Sequence, residues 1–287
     1  MNITISEGSG FCFGVRRALR LAHETIERAH GAGSLPVYSL GPLVHNRVVS
    51  HDLASRGVVQ LDRLSEVPRG FLLVRSHGIA PAVREEARAM GFSLVDATCP
   101  LVKKIHRIVE RLKTEGFPVV VVGHREHPEV EAIMGHCGSR CCVVHADADV
   151  AGLPPWRRAG VVVQTTMEHG HFLALVPKLL GKMLECRIHN TICFETERRQ
   201  HRTGELARHV EAMVVVGGRE SSNTAKLVAI SRRAGKPAYL VEGPDELRAE
   251  WFRGLKEIGI TAGASTSREH LEAVAGELLR MGNKEVR

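Results

Sequence analysis

With 287 residues, 44 % of them apolar and 25 % charged, the chain has the composition of a globular protein of about two or three domains, which excludes a disordered or collagen-like chain. Its longest apolar runs, such as Val119 to Val122, are strand-sized, and its opening MNITISEGSG has neither a basic nor an apolar stretch; no membrane span or export signal is expected, and a cytoplasmic location is. The net charge of +7 favours anionic partners, but aromatic residues make up only 4 % and the basic ones are scattered, so nucleic-acid binding is not expected.

A short strand and the turn GSGFCFG lead to Cys12. Gly8, Gly10 and Gly14 lack the spacing of a dinucleotide fingerprint, so no nicotinamide or flavin site is expected there. FGVRRALRLAHETIERA follows as a helix with Val15, Leu19, Ala22 and Ile26 on one stripe; then come the strand PVYSL, the polar turn GPLVHN with His45, and a later strand ending at VRSHG with His77. Cys99 opens a second helix, PLVKKIHRIVERLKTEG, with Val102, Ile105, Ile108, Val109 and Leu112 on its apolar face. Its strand PVVVV runs into GHREHPEVE with His127 and Glu129, and VVVQTT ends in Thr165 and Thr166. Cys193 begins a third, more polar helix, FETERRQHRTGELARHVEA; the strand MVVVG then leads into GGRESSN with Ser221, Ser222 and Asn223, and ITAGAST ends at Ser265.

The order is the same three times over. Cys12, Cys99 and Cys193 are 87 and 94 residues apart, with 94 residues after the last; His45, His127 and Ser221 follow their cysteines by 33, 28 and 28, and His77, Thr165 and Ser265 by 65, 66 and 72. This predicts three α/β domains, 1–97, 98–192 and 193–287, with largely parallel sheets. Ligands of such sheets bind beyond the carboxyl ends of the strands, where every polar turn above falls. Three units about a pseudo-threefold axis would aim three cysteines and these turns at one cavity.

Seven cysteines without an export signal point to metal or redox chemistry rather than disulfides, and no Cys-x-x-Cys pair is present. Three thiolates from three domains can hold three irons of a 4Fe–4S cluster and leave the fourth iron open as a Lewis acid; taken singly, a free cysteine is an ordinary small core residue. His136, Cys137, Cys141, Cys142 and His145 offer an alternative set of zinc ligands, or simply a loop leading into the strand CCVVHA. The histidines, Ser221, Ser222, Asn223 and Ser265 are donors at helix starts, suited to a diphosphate, although each alone is an ordinary cap. Glu129 stands just inside a helix, where an acid normally serves the helix dipole; beside an open iron it becomes a candidate proton donor.

The motifs GFCFGVRRA, PLVHNRVV, SHG, DATCPLV, GHREHPEVEAIMG, QTT, IC followed by RQ, SSNTAKL and TAGAST closely resemble the 4-hydroxy-3-methylbut-2-enyl diphosphate reductases, from about residue 10 to residue 282. The resemblance implies a three-domain trefoil around an oxygen-sensitive 4Fe–4S cluster. It implies reductive dehydroxylation to isopentenyl and dimethylallyl diphosphate, the last step of the methylerythritol phosphate isoprenoid pathway. It makes Cys12, Cys99 and Cys193 the cluster ligands, and His45, His77, His127, Thr166, Ser221, Ser222, Asn223 and Ser265 the diphosphate-binding residues. Glu129 and Thr165 become the proton-delivery pair. It further implies a small acidic electron donor such as ferredoxin or flavodoxin, with the chain a monomer or weak homodimer. One departure is CFETERRQ, where the family usually has Ala then Thr after the cysteine; Glu195 places a charge beside that ligand. The other readings are a cluster hydro-lyase, which needs no external electrons, and a zinc-stabilised binding protein.

Overall fold

Twelve short strands and ten helices alternate along the computed structural model, which describes residues 1–31, 36–64 and 67–284. In chain order, β1 (Asn2–Ile5) and α1 (Phe13–Gly31) are followed by β2 (Val37–Leu40), α2 (Arg47–Ser55), β3 (Val58–Leu61) and β4 (Phe71–Val74). Next come α3 (Pro81–Ala89), β5 (Ser93–Asp96), α4 (Pro100–Thr114), β6 (Val119–Val122), α5 (Pro128–Cys137) and β7 (Cys141–Val144). The run α6 (Asp147–Ala151), β8 (Arg158–Val163), α7 (His169–Leu180), β9 (Glu185–Ile188) and α8 (Phe194–His209) leads to the last third. That third holds β10 (Ala212–Val216), α9 (Ser222–Arg233), β11 (Ala238–Val241), two 3-10 turns, β12 (Glu257–Ala262) and α10 (Arg268–Lys284).

The strands form three four-stranded sheets, parallel throughout, ordered β3-β2-β4-β5, β7-β6-β8-β9 and β11-β10-β12-β1. The three orders are one order. Each sheet has two central strands, an edge strand that follows the first of them, and a fourth strand on the far edge. In the last sheet that fourth strand is β1, from the other end of the chain, paired with β12 in register Asn2 with Glu257 through Ile5 with Ile260. Each fourth strand, β1, β5 and β9, is also the one that runs into a cysteine: Cys12, Cys99 and Cys193. The sequence repeat is thus a repeat of topology. The valine-rich central strands β6, β8 and β10 are buried almost end to end, as parallel strands covered on both faces must be, while β7 and β9 at the edges are half-buried.

The predicted helical stripes are present with small shifts. Val15, Ala18, Ala22, Ile26 and Ala29 bury one face of α1, so Ala18 rather than Leu19 lines it; on α4, His106 joins Val102, Ile105, Val109 and Leu112. The chain forms two compact units. One comprises Met1–Arg16, Val44–Asp52 and Phe194–Arg287; the other comprises Arg17–Leu43 and Leu53–Cys193. Within the second unit, Gly135 on α5 lets the start of α3 come close, since a Cβ there would stand 2.3 Å from that of Ala80. No described helix is long and apolar enough to cross a membrane.

Candidate functional site

In each sheet the strand order reverses between its two central strands, so the crevice for a ligand opens at their carboxyl ends. The residues that follow those strands are the polar residues singled out above: His45 and His77 after β2 and β4, His127 and Thr165 after β6 and β8, Ser221 and Ser265 after β10 and β12.

In the unit that holds both β6 and β8, a continuous run of contacts leads from one predicted cysteine ligand to another. Cys99 caps α4 ahead of Pro100, and its backbone N–H donates to Ser76 O at 2.9 Å, fixing the loop that carries His77. The rings of His77 and His127 meet edge to face with centroids 5.4 Å apart. His127 is the N-cap of α5, where its Nδ1 accepts the Glu129 N–H at 3.2 Å. The Glu129 carboxylate is 2 % exposed and receives both donors of Thr165, the backbone N–H on Oε1 and the hydroxyl on Oε2, each at 2.6 Å. The carbonyl of Thr165 in turn accepts the Cys193 N–H at 2.9 Å. Burial pushes the Glu129 pKa up to about 7 against the opposing pull of the Thr165 bonds, so the carboxyl can take up and release a proton near neutrality. Beside it, the buried Gln164 accepts the His124 N–H at 3.0 Å and donates to the Thr166 hydroxyl at 2.8 Å, which orients Thr166.

The base of Cys99 is anchored from below. Asp96 accepts the Thr98 N–H and pairs with Lys103 at 2.8 Å and Arg84 at 3.2 Å; although burial works the other way, these partners hold its carboxyl down at about 2. Arg17 reaches the carbonyls of Thr98 and Asp96.

The other unit assembles a second group. The Cys12 N–H donates to Ala264 O at 3.0 Å, and the Cys12 sulfur accepts the Val15 N–H at 3.4 Å, at the start of α1. The neighbouring Ser265 donates its hydroxyl to His45 O at 3.1 Å, and Asn46 donates its amide to Ser265 O at 2.8 Å while capping α2 through Val48 and Val49. Gly218 packs against the same loop, its missing Cβ leaving room where one would stand 2.6 Å from His45 O. Ser221 caps α9 by accepting the Thr224 N–H at 3.3 Å, and Ser222 and Asn223 open that helix. Asn223 is 4 % exposed, and neither end of its amide has a hydrogen-bond partner among the described residues. Such a group can complete its bonds on a ligand. Arg199, 4 % exposed, donates to Ala262 O and Gly10 O and ties the Cys12 turn to β12.

Every residue expected to act thus lies in one of two assembled groups. Cys99, Cys193, His77, His127, Glu129, Thr165 and Thr166 form one; Cys12, His45, Ser221, Ser222, Asn223 and Ser265 form the other. Sequence alone does not single out Asn46, Gln164 and Arg199. The first two stand inside the quoted motifs PLVHN and QTT, and Arg199 is the arginine of the RQ pair, so their motifs were the available signal. The five alternative zinc ligands do not assemble. Cys141 and Cys142 lie on opposite faces of β7, Cys137 is buried in the core that Cys141 packs against, and His136 bonds to Glu110; among the described residues no three of the five bring ligand atoms together.

Fold and site define a class: a thrice-repeated, all-parallel α/β protein with cysteine-started helices and polar loops at the strand switch points. The family profile described as LytB protein matches residues 3–279, and the chain belongs to this family. It is 39 % identical over 274 residues to the 4-hydroxy-3-methylbut-2-enyl diphosphate reductase of Geobacter metallireducens, covering 96 % of this chain and 95 % of that one. To the reductase of the same name from Aquifex aeolicus it is 38 % identical over 281 residues, covering 97 % and 96 %. Among solved structures, it is similar to an (E)-4-hydroxy-3-methyl-but-2-enyl diphosphate reductase described as the terminal enzyme of the non-mevalonate pathway, with a TM-score of 0.71, 38 % identity and coverage of 98 % and 100 %. A second, the E-1-hydroxy-2-methyl-but-2-enyl-4-diphosphate reductase from Plasmodium falciparum, gives a TM-score of 0.89 at 28 % identity, covering 96 % and 86 %.

Proposed function

We propose that this protein is a 4-hydroxy-3-methylbut-2-enyl diphosphate reductase. Its substrate takes up two electrons and two protons, its C–O bond breaks, and isopentenyl or dimethylallyl diphosphate leaves with water. The reading rests on the names of its full-length relatives and, in this chain, on one observation: the buried Glu129 carboxyl joined through Thr165 to the backbone of Cys193.

The cofactor is a 4Fe–4S cluster held by Cys12, Cys99 and Cys193, in the three domains 1–97, 98–192 and 193–287. Donor chemistry fits: all three are partly exposed cysteines outside any disulfide, each after a far-edge strand and at a helix start, and Cys12 sulfur receives a backbone N–H. When bound, the cluster supplies one electron at a time and an iron without a protein ligand.

The side chains do the rest. His45, His77, His127, Thr166, Ser221, Ser222, Asn223 and Ser265 bind the diphosphate with histidines, hydroxyls, an amide and helix N-termini. Asn223 enters with both ends of its amide open, so binding completes bonds instead of exchanging them. Burial disfavours the Glu129 carboxylate and raises its pKa to about 7, so the group can supply a proton near neutral pH, and Thr165 fixes its orientation and hands the proton to the departing hydroxyl. The electrons come from an acidic ferredoxin or flavodoxin, and the location is cytoplasmic.

The test is anaerobic purification and reconstitution with iron and sulfide, followed by assay with 4-hydroxy-3-methylbut-2-enyl diphosphate and dithionite with methyl viologen. A brown holoprotein that converts the substrate to the two isoprenoid diphosphates is expected. Conversion without any reductant would reassign it as a hydro-lyase, and a colourless, zinc-loaded protein would reassign it as a binding module.

A further inference from the structure

Two phenylalanines stand directly after two of the proposed ligands, Phe13 after Cys12 and Phe194 after Cys193. Their rings stack almost parallel, 10° apart with centroids at 6.4 Å, and yet Phe194 is 55 % exposed. A single exposed apolar side chain is ordinary. What surrounds this pair is not. Beside it, in the same compact unit, opens a cavity of about 440 Å³ lined by Cys12, Arg16, Glu195, Arg198, Arg268 and Glu269, with the pinned Arg199 beneath. Arginines outnumber acids there by four to two.

The arginines divide by mobility. Arg16 is held in place, donating to Phe11 O at 2.7 Å. Arg198 and Arg268 are exposed, and among the described residues the ion pairs they make are with carboxylates of their own helices, Glu195 at 3.8 Å and Glu272 at 2.9 Å, pairs worth little in water and readily exchanged. An aromatic centre with an arginine rim is the anatomy of a protein-binding surface. Its sign selects a negatively charged partner, as does the chain's charge of +7, which also disfavours a second copy of the chain on this face.

We propose that the Phe13–Phe194 pair and the rim of Arg16, Arg198 and Arg268 form the docking surface for an acidic one-electron carrier protein, which delivers its electrons beside Cys12. The inference rests on the reductase reading above. Two reduced carriers dock in turn and each is oxidised by one electron; the substrate receives both with two protons as its C–O bond breaks to release water.

The experiment uses the reconstituted holoprotein with two reductants, a reduced acidic plant-type ferredoxin and dithionite with methyl viologen. The double variant Arg198→Glu, Arg268→Glu should raise the KM for ferredoxin by about tenfold or more and flatten the fall of the wild-type rate with added salt. Its dithionite-driven turnover and visible spectrum should match wild type. Phe194→Ala should weaken ferredoxin in the same selective way. A ferredoxin KM within about twofold of wild type overturns the proposal, as does dithionite-driven turnover that falls in step, which would make these residues supports of the active centre. A wild-type dimer that Phe194→Ala dissociates would overturn it in favour of self-association. Wild-type holoprotein that turns over with dithionite but not ferredoxin sinks the docking surface alone; one that turns over with neither sinks the reductase reading and this inference together.

Discussion

Glu129 and Asn223 are both buried polar side chains just beyond the carboxyl end of a central strand, 2 % and 4 % exposed, and the protein completes them differently. The Glu129 carboxyl takes two bonds from Thr165 and stands ready before any ligand arrives. The Asn223 amide has none among the described residues. Leaving such a group buried and unmade costs about 1 to 3 kcal/mol, a cost that a bound ligand completing its bonds would offset. The finished site is the one suited to chemistry, and the unfinished one to recognition.

The cysteines sharpen this contrast with the largest expected effect. Cys12, Cys99 and Cys193 are partly exposed at helix starts, whereas Cys137 is buried with its thiol pushed up by the Cys141 thiol beside it and by burial. Replacing any of the first three by Ser should abolish cluster retention after reconstitution, measured as bound iron and sulfide. Cys137→Ser should retain the full complement; if it loses the cluster while Cys12→Ser keeps it, the ligand assignment falls.

Next in size is the chemistry of Glu129. Glu129→Gln keeps the shape and removes the acid, so single-turnover reduction with dithionite should slow by about 10² to 10⁴ while substrate still binds. Because the protonated form acts, wild-type turnover should also fall as pH rises past about 7, and the variant should lack that limb. A rate within about threefold of wild type would return Glu129 to a helix-dipole role.

Asn223→Ala should behave in the opposite manner. Losing a charge-assisted bond worth about 1.5 to 3 kcal/mol should weaken substrate binding roughly tenfold to a hundredfold, as read by calorimetry. The stability of the ligand-free protein should hold, because no internal bond is lost. A ligand-free variant that melts well below wild type would show that Asn223 is structural and break the comparison.

A last contrast separates the two sites by pH. The folded-state pKa of Glu129 is raised from 4.5 to about 7, so the unfolded chain releases this proton first. The contribution of Glu129 to stability is therefore greatest at low pH and declines as pH rises from 4.5 to about 7, by at most about 3 kcal/mol. Urea unfolding of Glu129→Gln against wild type should show the variant gaining over that window and level above it. Asn223→Ala should show no such drift.

Much of this was legible in sequence because it is local. Helix starts after Cys12 and Cys99, the valine strands β6, β8 and β10, and the polar turns all announce themselves within a dozen residues. What escaped is set by pairing at a distance. Nothing near Asn2 indicates a strand partner at Glu257. Gln164 acquires its role only when β8 lies beside β6 and His124 comes within 3.0 Å. Asn46 likewise lies in the motif PLVHN, but its bond to Ser265 spans 219 residues. Arg199, in the most polar of the three helices, has no apolar stripe to mark it as buried.

The exchanged strand also bears on how the molecule is made. β1 leaves the ribosome with its hydrogen-bonding edge unmatched and waits for β12, some 255 residues of synthesis later. Until then the turn that holds Cys12 lacks its anchor at Ala264, and the nascent chain carries an open edge strand through most of its translation. The sheet β7-β6-β8-β9 can close from one continuous stretch of chain, whereas the sheet that β1 belongs to closes only once β12 is made.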